Sequence, residues 1–268
     1  GSGEWRGVSV LQKPQLLREG DLFQFYGEFN VDGDPELGAT LGSLSYTFPL
    51  GESVSLTGSL GASRRNLVEA RGPAHDLSFR QYQGLVQLQW TLADSGTQTW
   101  YASASLSANR NDSYLDGRSI PLIIGGGLDG DLTSGYVRLA LGHSGLTDNL
   151  FWSAQIYGLQ GIAGFSSSED LQDMAYYGIQ PGESRALGGI ASMSWRLDPK
   201  IQLNLRAAGQ VAFNELTSDM GFSLGSDVGI RGLPGSLVSG DTGCLGTAEL
   251  NWTFWQQGTN ALQLVPFI

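Results

Sequence analysis

One cysteine, Cys244, and two histidines, His75 and His143, are present in 268 residues. A single thiol excludes an internal disulfide, and two imidazoles are too few for a His-rich metal site. Charge is also scarce: Asp, Glu, Lys and Arg together make up 15% of the chain, against roughly 25% in an average soluble domain. The basic sign is the scarcer, with 15 Lys and Arg against 26 Asp and Glu and a net charge of −11. Phosphate grooves draw their affinity from clustered Lys and Arg, so no nucleic-acid partner is expected. Nor is there an apolar run near the ~18 residues of a spanning helix, and mean hydropathy is only −0.10. If such a chain meets lipid, it does so as closed, hydrogen-bonded strands. The chain opens on Gly-Ser-Gly, with no basic start followed by an apolar core. That reads as a removed targeting peptide or an internal fragment.

What the sequence has in quantity is alternation, together with 39 glycines. From Ser53 to Ser63, Val54, Leu56, Gly58, Leu60 and Ala62 alternate with Ser53, Ser55, Thr57, Ser59 and Gly61. From Gln81 to Leu92, Tyr82, Gly84, Val86, Leu88, Trp90 and Leu92 oppose Gln81, Gln83, Gln87, Gln89 and Thr91, with Leu85 the exception. Trp100, Ala102, Ala104, Leu106 and Ala108 oppose Tyr101, Ser103, Ser105 and Ser107, and Ala248, Leu250, Trp252 and Phe254 oppose Thr247, Glu249, Asn251 and Thr253. Period two means strands with one apolar and one polar face. A soluble sandwich would carry Lys, Glu, Arg and Asp on the wet face. Here that face is Ser, Thr, Gln and Asn, which suits a confined wet lumen, and the strands approach the ~9 to 11 residues that cross a bilayer at a tilt.

The connections alternate in length. Short ones fall at 50–52, 93–97, 143–149 and 198–200, each with turn-forming Gly, Asp, Ser or Pro. Long ones fall at 64–80, 110–130, 159–185 and about 212–243, the pattern of short periplasmic turns and long external loops. About twelve strands result, near residues 3–11, 21–30, 39–48, 53–63, 81–92, 98–109, 131–142, 150–158, 187–197, 201–211, 244–255 and 261–268. Tryptophans lie mostly near strand ends, at the headgroup level. The expected fold is all-β, an antiparallel transmembrane β-barrel.

One segment has distinctive chemistry: Gly225 to Gly235, containing Ile230-Arg231-Gly232-Leu233, then Gly240-Asp241-Thr242-Gly243, then a strand bearing Glu249-Leu250-Asn251. It resembles the haemolysin secretion and activation transporters, the outer-membrane half of two-partner secretion. These carry a hydrophobic-Arg-Gly-aromatic tetrad on a long external loop, then Gly-Asp-x-Gly, then a strand ending in Glu-Leu. Leu233 replaces the usual aromatic. Gly209-Gln210, Leu216 and Ser218 fall where the family has Gly-Gln and Leu-x-Ser-Ser-Glu, with Asp219 and Met220 blurring the Glu. Gly3 to Gly7, Gly20-Asp21 and Pro266-Phe267-Ile268 resemble the family's second strand, the opening of its third, and the start of a strand that continues into Asp-x-Gly.

The resemblance implies that residues 1–268 are a partial barrel domain, about twelve of sixteen strands, incomplete at both ends and without the periplasmic polypeptide-transport-associated domains. It implies an outer membrane of a Gram-negative type, contact with lipid and lipopolysaccharide, and a monomeric pore in the full-length protein that exports an unfolded exoprotein. No catalytic residue, cofactor or metal is implied. Ile230, Arg231, Gly232 and Leu233 are the expected loop latch, supported by Gly240, Asp241 and Gly243. The guanidinium offers a planar fork to a wall carboxylate, and flanking Gly lets the chain turn tightly. The family's acidic partner is expected just beyond Ile268; within the chain, alternation places Glu249 in the lumen as a substitute.

Other readings carry less. Asp32, Asp34 and Glu36 sit in a turn, and Glu169, Asp170 and Asp173 on a long loop, where solvated acids are the default and a lipopolysaccharide-bridging calcium site the sharper alternative. Gly125-Gly126-Gly127 with Asp129 and Asp131 lacks the helix a phosphate cradle needs. His143 falls in a short turn with no nucleophile elbow nearby. Two alternative functions remain at this point: a barrel-assembly insertase of the same superfamily and a diffusion porin.

Overall fold

The computed structural model describes residues 6–30, 38–68, 76–123, 126–127, 129–225, 236–258 and 260–268. The strands are β1 (Arg6–Pro14), β2 (Leu22–Asn30), β3 (Gly38–Pro49), β4 (Val54–Val68), β5 (Asp76–Asp94), β6 (Gln98–Leu115), β7 (Arg118–Ser119), β8 (Asp131–Leu146), β9 (Leu150–Gly161), β10 (Arg185–Asp198), β11 (Ile201–Ala212), β12 (Phe222–Gly225), β13 (Ser236–Gly240), β14 (Gly243–Gln257) and β15 (Asn260–Leu264). One sheet runs in the order β1-β2-β3-β4-β5-β6-β8-β9-β10-β11-β14-β15, every neighbour antiparallel, with β7 folded back on β6. β12 and β13 form a separate hairpin inside the longest loop. Among the described residues β1 and β15 do not pair, and no helix is long and apolar enough to cross a membrane.

The two faces meet different media. Leu44, Leu60, Gly84 and Ala108 share one row across β3 to β6, as do Leu56, Leu88 and Ala104. This apolar face is uncovered: Leu60 is 68% exposed, Leu139 59% and Ile156 62%. The opposite face is polar and partly covered, with Ser105, Ser107, Asn109, Ser134 and Gln210 buried. Its hydroxyls pair across strands, Thr47 with Thr57 at 2.9 Å and Ser153 with Ser192 at 2.8 Å. A sandwich would bury the first face and wet the second; the reverse holds, as expected of a wall between hydrocarbon and a hydrated interior. The buried apolar residues gather instead at the long-loop end, in one cluster of Leu159, Ala186, Leu216 and Met220 and another of Leu132, Met174 and Ile179.

Trp90, Trp100, Trp152, Trp195 and Trp252 all lie on the apolar face toward the short-turn end. They form one interfacial belt. His143 belongs to it: β8 runs through to Leu146, so this residue is on a strand and not in a turn. Its ring stacks on Trp100 at 4.3 Å between centroids and accepts from Trp152 Nε1 at 3.4 Å.

Three further expectations are corrected. The hairpin of β4 and β5 continues past Arg64 and Arg80 to Val68 and Asp76, so most of the supposed loop at 64–80 is paired strand. β6 likewise reaches Leu115, five residues beyond Arg110. The acidic cluster at 169–173 is helix: α1 (Ser168–Tyr176) starts at Ser167, whose side chain accepts from the Asp170 N–H while the Asp170 carboxylate accepts from the Ser167 N–H. Asp170 is therefore buried as half of a capping box and is no solvated acid. Glu169 remains exposed. Asp32, Asp34 and Glu36 lie outside the described residues.

At the short-turn end, Gly20 adopts φ +81°, which a side chain would resist. The next residue, Asp21, accepts from the N–H groups of Leu16, Leu17 and Arg18 at 2.7, 2.9 and 2.8 Å and from the Tyr46 hydroxyl. Burial raises its pKa, but the hydrogen bonds from Tyr46 and the three amides outweigh that and hold the carboxyl at about 2. The Gly-Asp pair is thus a turn lock.

Candidate functional site at the root of the long loop

β11 rises along the polar face to Ala212, and β14 returns from Gly243; past Ala212 the chain leaves the sheet, and residues 213–222 fold back against the inner wall. Pairing between β11 and β14 stops at Gln210 and Gly243; beyond that rung a backbone bond from the Phe213 N–H to the Arg185 carbonyl at 2.9 Å and several side chains hold the loop. Gln210, 5% exposed, donates its amide to the carbonyls of Met220 at 2.8 Å and Asp241 at 3.1 Å. The Asp241 carboxylate accepts the Leu216 N–H at 3.2 Å, and Thr242 Oγ1 accepts the Ala212 N–H at 3.0 Å. From across the interior Asn109 on β6 donates to Asp219 at 2.9 Å. Ser184, at the end of the neighbouring loop, donates to the Glu215 carbonyl at 2.7 Å. Leu216 and Met220 plug into the cluster formed by Leu159, Ala186, Tyr136, Tyr157 and Ala212.

Each residue of Gly240-Asp241-Thr242-Gly243 has a local task. Gly240 ends β13 opposite Phe222, and Asp241 and Thr242 supply the acceptors just described. A Cβ on Gly243 would sit 2.6 Å from the Phe222 ring, so only glycine leaves the ring its place. The structure thus brings Gly240, Asp241 and Gly243 together. Glu249 stands further down β14 on the same polar face, opposite Asn204. Ile230, Arg231, Gly232 and Leu233 lie outside the described residues.

From this root a polar ladder descends the wall. Tyr157 donates to Gln210 Oε1 at 3.3 Å; the Arg138 guanidinium lies 4.3 Å from the Tyr157 ring and donates to Gln155; Gln155 donates to Tyr101 at 3.4 Å. Arg206 also projects from this face, opposite Ser192 and Thr247. The uncharged amides and hydroxyls of this wall can exchange hydrogen bonds readily, since each is worth only about 0.5–1.5 kcal/mol net.

Sequence reasoning missed Asn109 and α1. Asn109 sits in an ordinary alternating strand and gives no local signal. Ser167-x-x-Asp170 ahead of Leu171 and Met174 was a readable capping pattern.

All residues, 1–268, match the family described as haemolysin secretion/activation protein ShlB/FhaC/HecB. The chain belongs to this family. It is a family of outer-membrane transporters, which fixes the medium outside the apolar face as lipid and the setting as the outer membrane of a Gram-negative bacterium. Among solved structures, CdiB from Escherichia coli is similar at TM-score 0.83 and 16% identity over 98% of this chain and 48% of that one. CdiB from Acinetobacter baumannii gives TM-score 0.69 at 17% identity over 98% of this chain and 49% of that one. BamA from Haemophilus ducreyi lacking POTRA domains 1–3 gives 0.55 at 15% identity over 94% of this chain and 51% of that one. At such identities these neighbours establish the fold alone. The chain spans about half the length of each. A comparison with curated proteins finds no match.

Proposed function

We propose that this barrel conducts an unfolded partner exoprotein across the outer membrane, with the loop at 213–242 as a plug that shifts to admit it. The observation that carries this is the loop root: it is fastened to the inner wall by individual bonds, notably those of the Gln210 and Asn109 side chains, and not by a strand ladder. Such fastenings can open and close singly, whereas a ladder releases only cooperatively. The polar wall below supports sliding over specific capture. No nucleotide is involved, and folding of the cargo outside supplies direction. Membership of a secretion family supports export over the insertase and porin alternatives.

Within the plug, Arg231 is the latch and Glu249 the acidic partner on the wall. Arg231→Ala in the full-length transporter should reduce secretion of the exoprotein encoded with it and raise pore conductance in planar bilayers. Glu249→Gln should do the same, and the double variant should be no worse than either single. Unchanged export together with unchanged conductance in Arg231→Ala refutes the latch.

A further inference from the structure

Three arginines stand on the apolar face, away from the loop root and the polar wall. Arg64 and Arg80 stand directly opposite each other across β4 and β5. Arg110, on β6, is paired with Tyr82, one rung below Arg80. All three share the outward face with Leu60, Tyr82 and Leu106. Like charges directly opposite in an antiparallel pair repel, yet among the described residues neither Arg64 nor Arg80 forms an ion pair; Asp112 stands opposite Arg80 on β6, but its carboxylate is bonded to Arg110. Arg64 donates Nε to Asn66 at 3.2 Å, and Arg80 lies over the Tyr114 ring at 4.9 Å. Of the three, Arg110 alone is ion-paired within the described residues, with Asp112 at 2.9 Å and Asp131 at 2.8 Å, contacts that fix its guanidinium in place.

Their height is defined by the tryptophan belt. Arg80 is ten positions along β5 from Trp90, and Arg110 ten along β6 from Trp100. At ~3.3 Å per residue and a tilt near 40°, ten residues rise about 25 Å, the height of the apolar band of such barrels. The arginines therefore stand at the headgroups of the leaflet on the long-loop side, the outer one.

Beneath them the surface is hollow. Small residues at outward positions of adjacent strands, Gly42, Ala62, Gly84 and Ala108, floor a groove of about 520 Å³ between Leu60 and Tyr82, and Arg110 lines it as well. A trough of hydrocarbon-facing atoms beside three guanidinium groups, of which Arg64 and Arg80 have no ion-pair partner among the described residues, matches an amphiphile with acyl chains and anionic head. Guanidinium forks suit phosphate. Arg64 and Arg110, two strands apart, span about 10 Å of surface, wider than one phosphate and suited to a head that carries two.

We propose that this face binds a bisphosphorylated glycolipid of the lipid A type, its phosphates on Arg64, Arg80 and Arg110 and one acyl chain in the groove. The site requires the outer-membrane setting but not the export reading.

The test is native mass spectrometry of the full-length transporter in detergent, titrated with bisphosphorylated lipid A, dephosphorylated lipid A or phosphatidylglycerol. The wild type should bind the bisphosphorylated form at least ten-fold more tightly than either comparator. Arg64→Ala/Arg80→Ala should lose that preference, and Arg64→Lys should keep most of it. Gly84→Leu fills the trough with the arginines intact and should weaken binding of the long-chain form while sparing a short-chain analogue. Heat-modifiable migration on gels identifies folded variants. Wild-type affinity in the folded double alanine variant, or equal wild-type affinity for lipid A and phosphatidylglycerol, overturns the proposal. Because secretion is not the readout, the result stands apart from whether the pore exports protein.

Discussion

Replacing Gln210 by Ala is the most direct probe of the loop root. The side chain donates to two backbone carbonyls and accepts from Tyr157. Met220 is 2% exposed, so its carbonyl would be left without water as well as without the amide. An unsatisfied buried acceptor costs about 1–3 kcal/mol, and the weaker bond to Asp241 adds about 0.5–1.5 kcal/mol. The docked loop should thus lose about 1.5–4.5 kcal/mol, and with 1.4 kcal/mol per tenfold the undocked population should rise roughly 10- to 1,600-fold. Hydrogen exchange on the full-length protein in micelles reads this directly. Amides of the 213–222 segment, including Leu216 and Met220, should exchange faster by that factor, while those of β8 and β9 keep their protection. Gln210→Glu retains the acceptor for Tyr157 but loses both donated bonds, and should behave like the alanine variant. Wild-type exchange in both variants would refute the reasoning, and so would faster exchange spread evenly through the wall strands.

Two more outcomes rest on local geometry. Gly243→Ala should displace the Phe222 ring and lower stability by about 1–3 kcal/mol, as overpacking generally does; the loss in thermal unfolding should vanish in a Phe222→Ala background, and a loss of equal size there would absolve the contact. Because the Asp21 carboxyl titrates at about 2 against an ordinary 3.8, the stability it supplies is complete above about pH 4 and is lost as pH falls toward 2. Asp21→Asn should flatten the dependence of turn proteolysis on pH in that window, and an unchanged dependence would mean another acid sets it.

The strands themselves were legible because a wall between two media writes its faces into every second residue. Val54 to Ala62 and Tyr82 to Leu92 announce their lipid side without reference to any partner, and the turns between them announce connection length. The same logic explains where legibility ended. Beyond Arg64, Arg80 and Arg110 polar residues occupy both faces, Asn66, Ser78 and Asp112 on one and Asn111 and Ser113 on the other, so alternation fades although the backbone ladder continues to Val68, Asp76 and Leu115. His143 reads as a turn residue for a related reason: glycines and small polar residues around it resemble a turn, and only its stacking on Trp100 and its hydrogen bond from Trp152 show an interfacial strand.

Sequence alone determined the medium on each side of the wall, the order of the strands, and which loop carries the family's signature, since all three are properties of contiguous residues. Tertiary structure alone decided how that loop is held. Asn109 and Asp219 are 110 residues apart, and nothing in either neighbourhood names the other. Hydrogen bonds between side chains depend on where the paired strands bring distant positions, and that is a property of the folded wall.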